Sequence, residues 1–346
     1  MLASLSTTRS EPRPDTAFNR LRLLALTLGS ADPVELLGNV LSQTFDQLQD
    51  AGHTDNSLAP GCLPLECSFS ELDRARLRMD FEPFGAGIAP TARLRLASAA
   101  ASQIARCQIN HESVAAFNNL ASAWQAGELS SSARFGAFLG ASLGVEKLEE
   151  LKIYYEVDST NHCLLPVGLT RLLELVPGAL PHFFSVSLSQ TGISSRLYAR
   201  CRRGLHLTGL EPLMTRVGLG HRLPALISTV LRLTDMQFTM PPEAAGLGLR
   251  QGKSGFELKV ELVTDIALGF MRSPIEGVRD ELRQRPVAKR AFETLFAACS
   301  EFGKPAQVSV VSVTVTASRE PRLNVYLRPA WGLGTPVQML DEQGPS

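Results

Sequence analysis

Four stretches of this chain place ionisable side chains and tyrosines at every second position. In LKIYYEVD (151–158), Lys152, Tyr154 and Glu156 alternate with Ile153, Tyr155 and Val157. Arg196, Tyr198 and Arg200 alternate with Leu197, Ala199 and Cys201, and Glu257, Lys259 and Glu261 with Leu258, Val260 and Leu262. Near the end, Asn324, Tyr326 and Arg328 alternate with Val325 and Leu327. A period of two sends neighbouring side chains to opposite faces of a strand. A polar strand face commonly just meets water. Four such faces, each near amphipathic helices, suggest another arrangement, in which helices cover the apolar faces and the polar faces line a common interior.

Gathered in one interior, these residues fall into three chemical types. Arg76, Lys152, Arg196, Lys259 and Arg328 are cations, and several cations facing one lumen would bind a multiply charged anion such as a diphosphate. Tyr154, Tyr198 and Tyr326 can donate hydrogen bonds to that anion, and their ring faces can stabilise a carbocation by roughly 0.5–2 kcal/mol per contact. Glu66, Glu156, Glu257 and Asp80 could deprotonate a nucleophile or hold a cationic substrate. Plainer readings stand beside these. Tyr155 lies on an apolar face and reads as core, Glu257 and Glu261 could simply pair with Lys259, and the run Arg74, Arg76, Arg78 could be a solvated edge.

The elements that must position these groups alternate strand pairs with helix pairs. Helices are expected from Phe18 to near Gly29 and from the Asp32-Pro33 cap to about 50, then at 91–109, 113–126, 164–175, 211–217, 221–232, 275–284 and 287–302. Strands are expected at 65–69, 74–81, 151–158, 182–190, 194–203, 237–240, 247–251, 256–263, 307–317 and 322–327, while apolar, glycine-interrupted 130–143 stays undecided. The three-residue turn between 190 and 194 forces an antiparallel hairpin. Strand pairs without single-helix crossovers disfavour a TIM barrel and a doubly wound sheet. About ten antiparallel strands could instead close into a barrel around a solvated lumen, ringed by α-helices, an α/β arrangement of the α+β kind. One domain over 17–330 is expected, with a disordered tail at 1–16 and a loose one at 331–346.

Composition narrows the chemistry further. The 346 residues carry 34 Lys plus Arg and 34 Asp plus Glu, so no net field points to nucleic acid or an anionic membrane. Six cysteines without a paired spacing read as reduced thiols, and no apolar run is long enough to span a bilayer, so a cytoplasmic protein is expected. Walker A, GxSxG, HExxH and DDxxD patterns are absent, and no zinc-ligand spacing occurs among the histidines and cysteines. Gly246-Leu-Gly-Leu is too short to identify a phosphate loop.

The blocks LECSFSELDRARLRMDFE (65–82), LEELKIYYEV (148–157), FFSVSLSQTGISSRLYARC (183–201) and SREPRLNVYL (318–327) resemble strands of the ABBA-type prenyltransferases, nearest to the cyanobactin peptide branch. The resemblance implies a ten-stranded ABBA barrel. It also implies transfer of a dimethylallyl or longer isoprenoid group from its diphosphate to a side chain of a ribosomally made peptide, commonly assisted by magnesium and carried out by a monomer. It implies Glu66 as the acidic residue that deprotonates the acceptor, and Arg76 and Lys152 as diphosphate ligands, to which the strand faces read above add Lys259, Arg196 and Arg328. Tyr154, Tyr198 and Tyr326 would shield the allylic cation. Tyr154 and Glu156 stand where relatives can have histidine and a basic residue, and Arg196 and Arg200 where acids can occur. Glu156 and Glu257 are read as acceptor-binding groups, and Glu156 with Glu66 as two carboxylates that would orient an arginine guanidinium as the acceptor. Two other readings keep the barrel: an aromatic small-molecule prenyltransferase, and a non-catalytic barrel that binds a peptide or isoprenoid.

Overall fold

The computed structural model describes residues 14–45, 56–71, 76–84, 87–109, 111–127, 129–267, 273–301 and 303–331. Ten strands close into an antiparallel barrel: β1 (Leu65–Ser70), β2 (Leu77–Phe81), β3 (Ala137–Leu143), β4 (Leu148–Glu156), β5 (Ala179–Ser189), β6 (Gly192–Cys201), β9 (Ala245–Gly252), β10 (Gly255–Val263), β11 (Gln307–Thr316) and β12 (Arg319–Arg328). Around the barrel they run β1-β12-β11-β10-β9-β6-β5-β4-β3-β2. The remaining strands, β7 (Leu205–His206) and β8 (Thr239–Met240), form a separate two-stranded ladder.

Ten strands were expected and ten form the barrel, but the set differs by one. The 237–240 stretch contributes only β8, outside the barrel, and its place is taken by β3 from the undecided 130–143 segment. All seven β3 residues are buried, because Gly140 and Ser142 face the lumen while Leu139 and Leu143 face the core. Small inward residues erase the polar alternation that reveals a barrel strand. The helix expected over 164–175 is Val167–Leu173, preceded by a short 3-10 turn. Pro14–Thr16 begin the first helix, while 1–13, 46–55 and 74–75 lie outside the described residues. At the other end the domain includes Trp331, which is buried and donates its indole N–H to Ala298 O at 3.2 Å, whereas 332–346 lie outside the description. Among the described residues no helix is long and apolar enough to cross a membrane.

The outer strand faces pack under helices. Tyr155 is fully buried there, with its ring stacked 4.7 Å from Trp124 of the helix Val114–Gln125, which also stacks on Phe184 at 5.6 Å. The reading of Tyr155 as core therefore holds. A buried ion pair ties the helix layer to the barrel end: Arg93 and Glu82 meet at 2.9 Å. Arg93 also donates to Pro83 O and Phe135 O, and Glu82 accepts from the amides of Ser57 and Leu58. One pair thus holds three separate segments of the rim together. Arg93→Ala would strand a buried carboxylate, and urea unfolding should show a loss of about 3–5 kcal/mol; a loss below about 1 kcal/mol would remove this pair as a structural tie.

Candidate active site in the barrel lumen

Cross-strand register stacks the inward side chains in levels. Glu66 faces Asp80 across β1 and β2, Asp80 faces Gly140, and Gly140 faces Lys152. On the other side Tyr198 lies opposite Gly248, and Gly248 opposite Lys259. A Cβ at Gly248 would sit 3.1 Å from the Tyr198 ring and from Arg196 Cδ, so glycine is what lets those long side chains cross the wall. This is the role of the 246–249 stretch, which motif reading could not assign. The levels enclose two cavities that meet at Tyr198 and Tyr326, which line both.

The lower cavity, about 510 Å³, is polar. Arg78, Lys152, Arg196, Arg250, Lys259 and Arg319 line it against two carboxylates, Glu150 and Glu257, with serines and threonines between. Glu257 is held by Arg196 and, at 2.5 Å, by Arg250. Burial alone would raise the Glu257 carboxyl, but these two arginines bring it below the usual range. Burial opposes ionisation of Glu150 too, yet Lys152 and Arg78 hold it down at about 2. Burial pushes the Lys152 ammonium below its ordinary range, against the pull of Glu150. The cavity thus carries four more cations than carboxylates, a field built for a multiply charged anion.

Between the cavities lies an aromatic belt. Lys259 Nζ donates to the Tyr326 hydroxyl at 2.7 Å, sits 4.7 Å from that ring's centroid and 5.8 Å from the Tyr198 centroid, and pairs with Glu261 at 2.9 Å. The Tyr154 and Tyr198 rings lie 6.0 Å apart. A cation is therefore already accommodated by the faces of Tyr198 and Tyr326.

The upper cavity, about 280 Å³, is mostly apolar and contains Glu66. Phe135 and Phe138 stack at 4.2 Å, and Phe183 meets Phe135 edge-on at 5.1 Å. His182 sits against Phe183, and burial with Arg200, Arg134 and Arg202 nearby brings its imidazole down to about 3, so it is neutral. Burial lifts Glu66 to about 7, partly offset by Arg328, whose Nε lies 3.3 Å away, and by a hydrogen bond with Ser309. Asp80 is also raised by burial, against Lys152 and Arg78, and the Tyr154 hydroxyl hydrogen-bonds it.

The lumen therefore gathers Glu66, Asp80, Lys152, Tyr154, Arg196, Tyr198, Lys259 and Tyr326 as the sequence suggests. Four assignments change. Arg76 precedes β2, is exposed and lines neither cavity; Arg78, inside the strand, takes the inward position. Arg328 lies in the upper cavity against Glu66, away from the cationic one. Glu257 lies in the lower, cationic cavity, locked between two arginines. Glu156 is buried, but its carboxylate accepts from the amides of Arg134, Phe135 and Gly136 at 2.8–3.0 Å. Sequence reading passed over Glu150, Arg250 and the phenylalanines of the upper wall. Arg250 shares parity with Gly248, a signal hidden by the missing side chain.

The same geometry bears on magnesium. Among the described residues no group of three or more His, Cys, Asp and Glu converges. Glu150 and Glu257 are each committed to cations. The donor set does not fit a metal held by the protein's own carboxylates, whereas the lower cavity presents six Lys and Arg side chains.

No protein-family description and no curated protein sequence matches this chain. Solved structures do match in fold. The 5-dimethylallyltryptophan synthase from Streptomyces coelicolor superposes with a TM-score of 0.71 at 16% identity, covering 93% of this chain and 98% of that one. Prenyltransferase PriB gives 0.69 at 15%, over 94% and 99%. The 6-dimethylallyltryptophan synthase from Micromonospora olivasterospora, in complex with DMASPP and Trp, gives 0.68 at 15%, over 93% and 98%. The barrel is thus the ABBA prenyltransferase fold that the sequence blocks led us to expect.

Because Glu156 serves the 134–136 backbone, Glu156→Gln should cost about 1–3 kcal/mol in stability yet leave inorganic diphosphate affinity within about twofold, the sites being separate. Calorimetric titration checks this, and a tenfold weaker diphosphate would make Glu156 part of the anion site.

Proposed function

We propose that this protein is a prenyltransferase that moves a dimethylallyl-type group from its diphosphate to an aromatic acceptor. One observation carries the reading: a cavity with surplus cations adjoins an aromatic cavity containing Glu66, with tyrosines at their junction. The fold shared with the dimethylallyltryptophan synthases supports it.

The diphosphate would lie against Arg78, Lys152, Arg196 and Lys259 in the lower cavity. As the allylic C–O bond breaks, its electron pair stays with the diphosphate, and these cations stabilise the growing negative charge. The allyl carbon then lies at the junction, where Tyr154, Tyr198 and Tyr326 present ring faces to its positive charge and keep water away. An acceptor ring between Phe135, Phe138 and Phe183 supplies the electrons for the new bond, and Glu66 takes the proton it loses. Arg134 and Arg200, also on this cavity, suit an acceptor with an anionic group.

An arginine acceptor depended on Glu156 and Glu66 acting together, and Glu156 is committed to backbone amides. The peptide reading becomes an arm of the test. Dimethylallyl diphosphate is incubated with tryptophan, tyrosine and short peptides containing each, and products are read by mass spectrometry. Gain of one isoprenoid unit on an aromatic group supports the proposal, whereas prenylated arginine peptides with inert aromatics overturn it. Glu66→Gln should lower kcat by about 10²–10⁴-fold with little change in donor affinity. Lys152→Ala should weaken donor binding about tenfold or more. Since Glu66 must be ionised to accept a proton and burial lifts it to about 7, the rate should fall as pH drops below about 7 and level off above it; a flat profile from pH 5 to 8 would remove Glu66 from the mechanism.

A further inference from the structure

The Arg328 guanidinium is shared unequally between two carboxylates. Its Nη1 donates to Asp265 Oδ2 at 2.6 Å, whereas its Nε reaches Glu66 Oε1 only at 3.3 Å. Asp265 is not a lumen-strand residue. It sits two residues past the end of β10, on the short helix Thr264–Ala267. That helix is fastened to the barrel: the Thr264 hydroxyl contacts Val308 O at 2.5 Å and Ser309 O at 2.9 Å. Gln307 Nε2 donates to the other Asp265 oxygen at 3.3 Å. Asp265 is thus oriented from two sides, with its charge directed at Arg328.

We infer that Asp265 is a positioning residue for Glu66: by holding one edge of the Arg328 guanidinium, it keeps that cation from closing onto the Glu66 carboxylate and so preserves Glu66 as a proton acceptor. The inference rests on the reading of Glu66 given above. A carboxylate fully paired with arginine holds its charge more firmly and is a weaker base. Glu66 is buried, and it shares its surroundings with Arg328 on β12, Ser309 on β11, Asp80 on β2, Cys62 before β1, Glu261 on β10 and Arg200 on β6. Of these, Arg328 is the cation in direct contact, so its placement governs the balance. Removing the Asp265 charge acts twice in one direction. It deletes a nearby negative charge, and it frees Arg328 to approach Glu66; both favour the Glu66 anion. This residue escapes motif reading, because neither its strand parity nor its spacing connects it to β1.

The test measures Glu66 itself. In ¹³C-carboxyl-labelled, donor-free protein, with the signal assigned by its loss in Glu66→Gln, the Glu66 titration midpoint should lie near 7. In Asp265→Asn and Asp265→Ser it should fall by about one pH unit, and Asp265→Glu should restore it. The acid limb of the pH dependence of kcat/KM should move with it. A midpoint unchanged or raised in both neutral variants, shown folded by circular dichroism, overturns the inference. A midpoint that moves as expected in protein that prenylates no acceptor leaves this coupling standing and defeats the proposed function instead.

Discussion

Closing ten strands into a barrel buries both faces of every strand, and the inner face of this barrel carries ionisable groups. Each buried charge costs several kcal/mol unless a partner compensates it, and that constraint shapes the rest of the lumen. Arg196 and Arg250 share Glu257, Lys152 faces Glu150, Lys259 faces Glu261, and Arg328 is divided between Glu66 and Asp265. In the upper cavity the carboxylates and cations nearly balance, whereas in the lower one the cations exceed the carboxylates. Burial is the main reason the Lys152 ammonium is lowered, and the neighbouring Arg78 and Arg196 add to it. A polyanion entering the lower cavity supplies the missing partners, so its binding relieves a charge imbalance that the fold holds in advance.

The upper cavity is shaped by a different use of buried charge. Glu82 and Glu156 are engaged within the wall, Glu82 by the amides at 57–58 and by Arg93, and Glu156 by the amides at 134–136. Those segments contribute Ser57, Leu58, Arg134 and Phe135 to the cavity wall. The backbone at Gly136 has a φ of +76°, and a Cβ there would meet Pro90 O at 2.0 Å. Two carboxylates and one glycine therefore fix where the aromatic wall stands before any acceptor arrives, which is the preorganisation that orientation-dependent chemistry needs.

The architecture was legible because period-two alternation survives in β1, β2, β4, β6, β10 and β12, where inward side chains are polar and outward ones apolar. The alternation was lost in β3, whose inward residues are Phe138, Gly140 and Ser142, and the strand it suggested at 237–240 lies outside the barrel. Site residues were legible by face but not by depth. Arg76 and Arg78 share a face, yet only Arg78 lies within the barrel. Lys259 and Glu257 also share a face, and the sequence could not show that Glu257 is bound by arginines from β6 and β9. Glu156 has the right parity and sits deep, but the loop it holds comes from 20–22 residues earlier, a pairing that only tertiary structure reveals.

Depth also explains why the tyrosines matter more than their number suggests. Tyr198 and Tyr326 stand at the level where the cationic cavity gives way to the apolar one, with the Tyr154 ring beside Tyr198 on the apolar side. Burial raises all three phenols, so at neutral pH they remain uncharged donors and do not cancel the cations beneath them. Their ring faces offer negative quadrupole without net charge, which favours a short-lived cation while leaving the anion's field intact. Carboxylates at the same positions would neutralise Lys152 and Lys259, and under the proposed function purely apolar residues would leave a developing allyl charge without support. Lys259, resting on Tyr326 and hydrogen-bonded to it, shows that this junction tolerates a positive charge even before a donor is present.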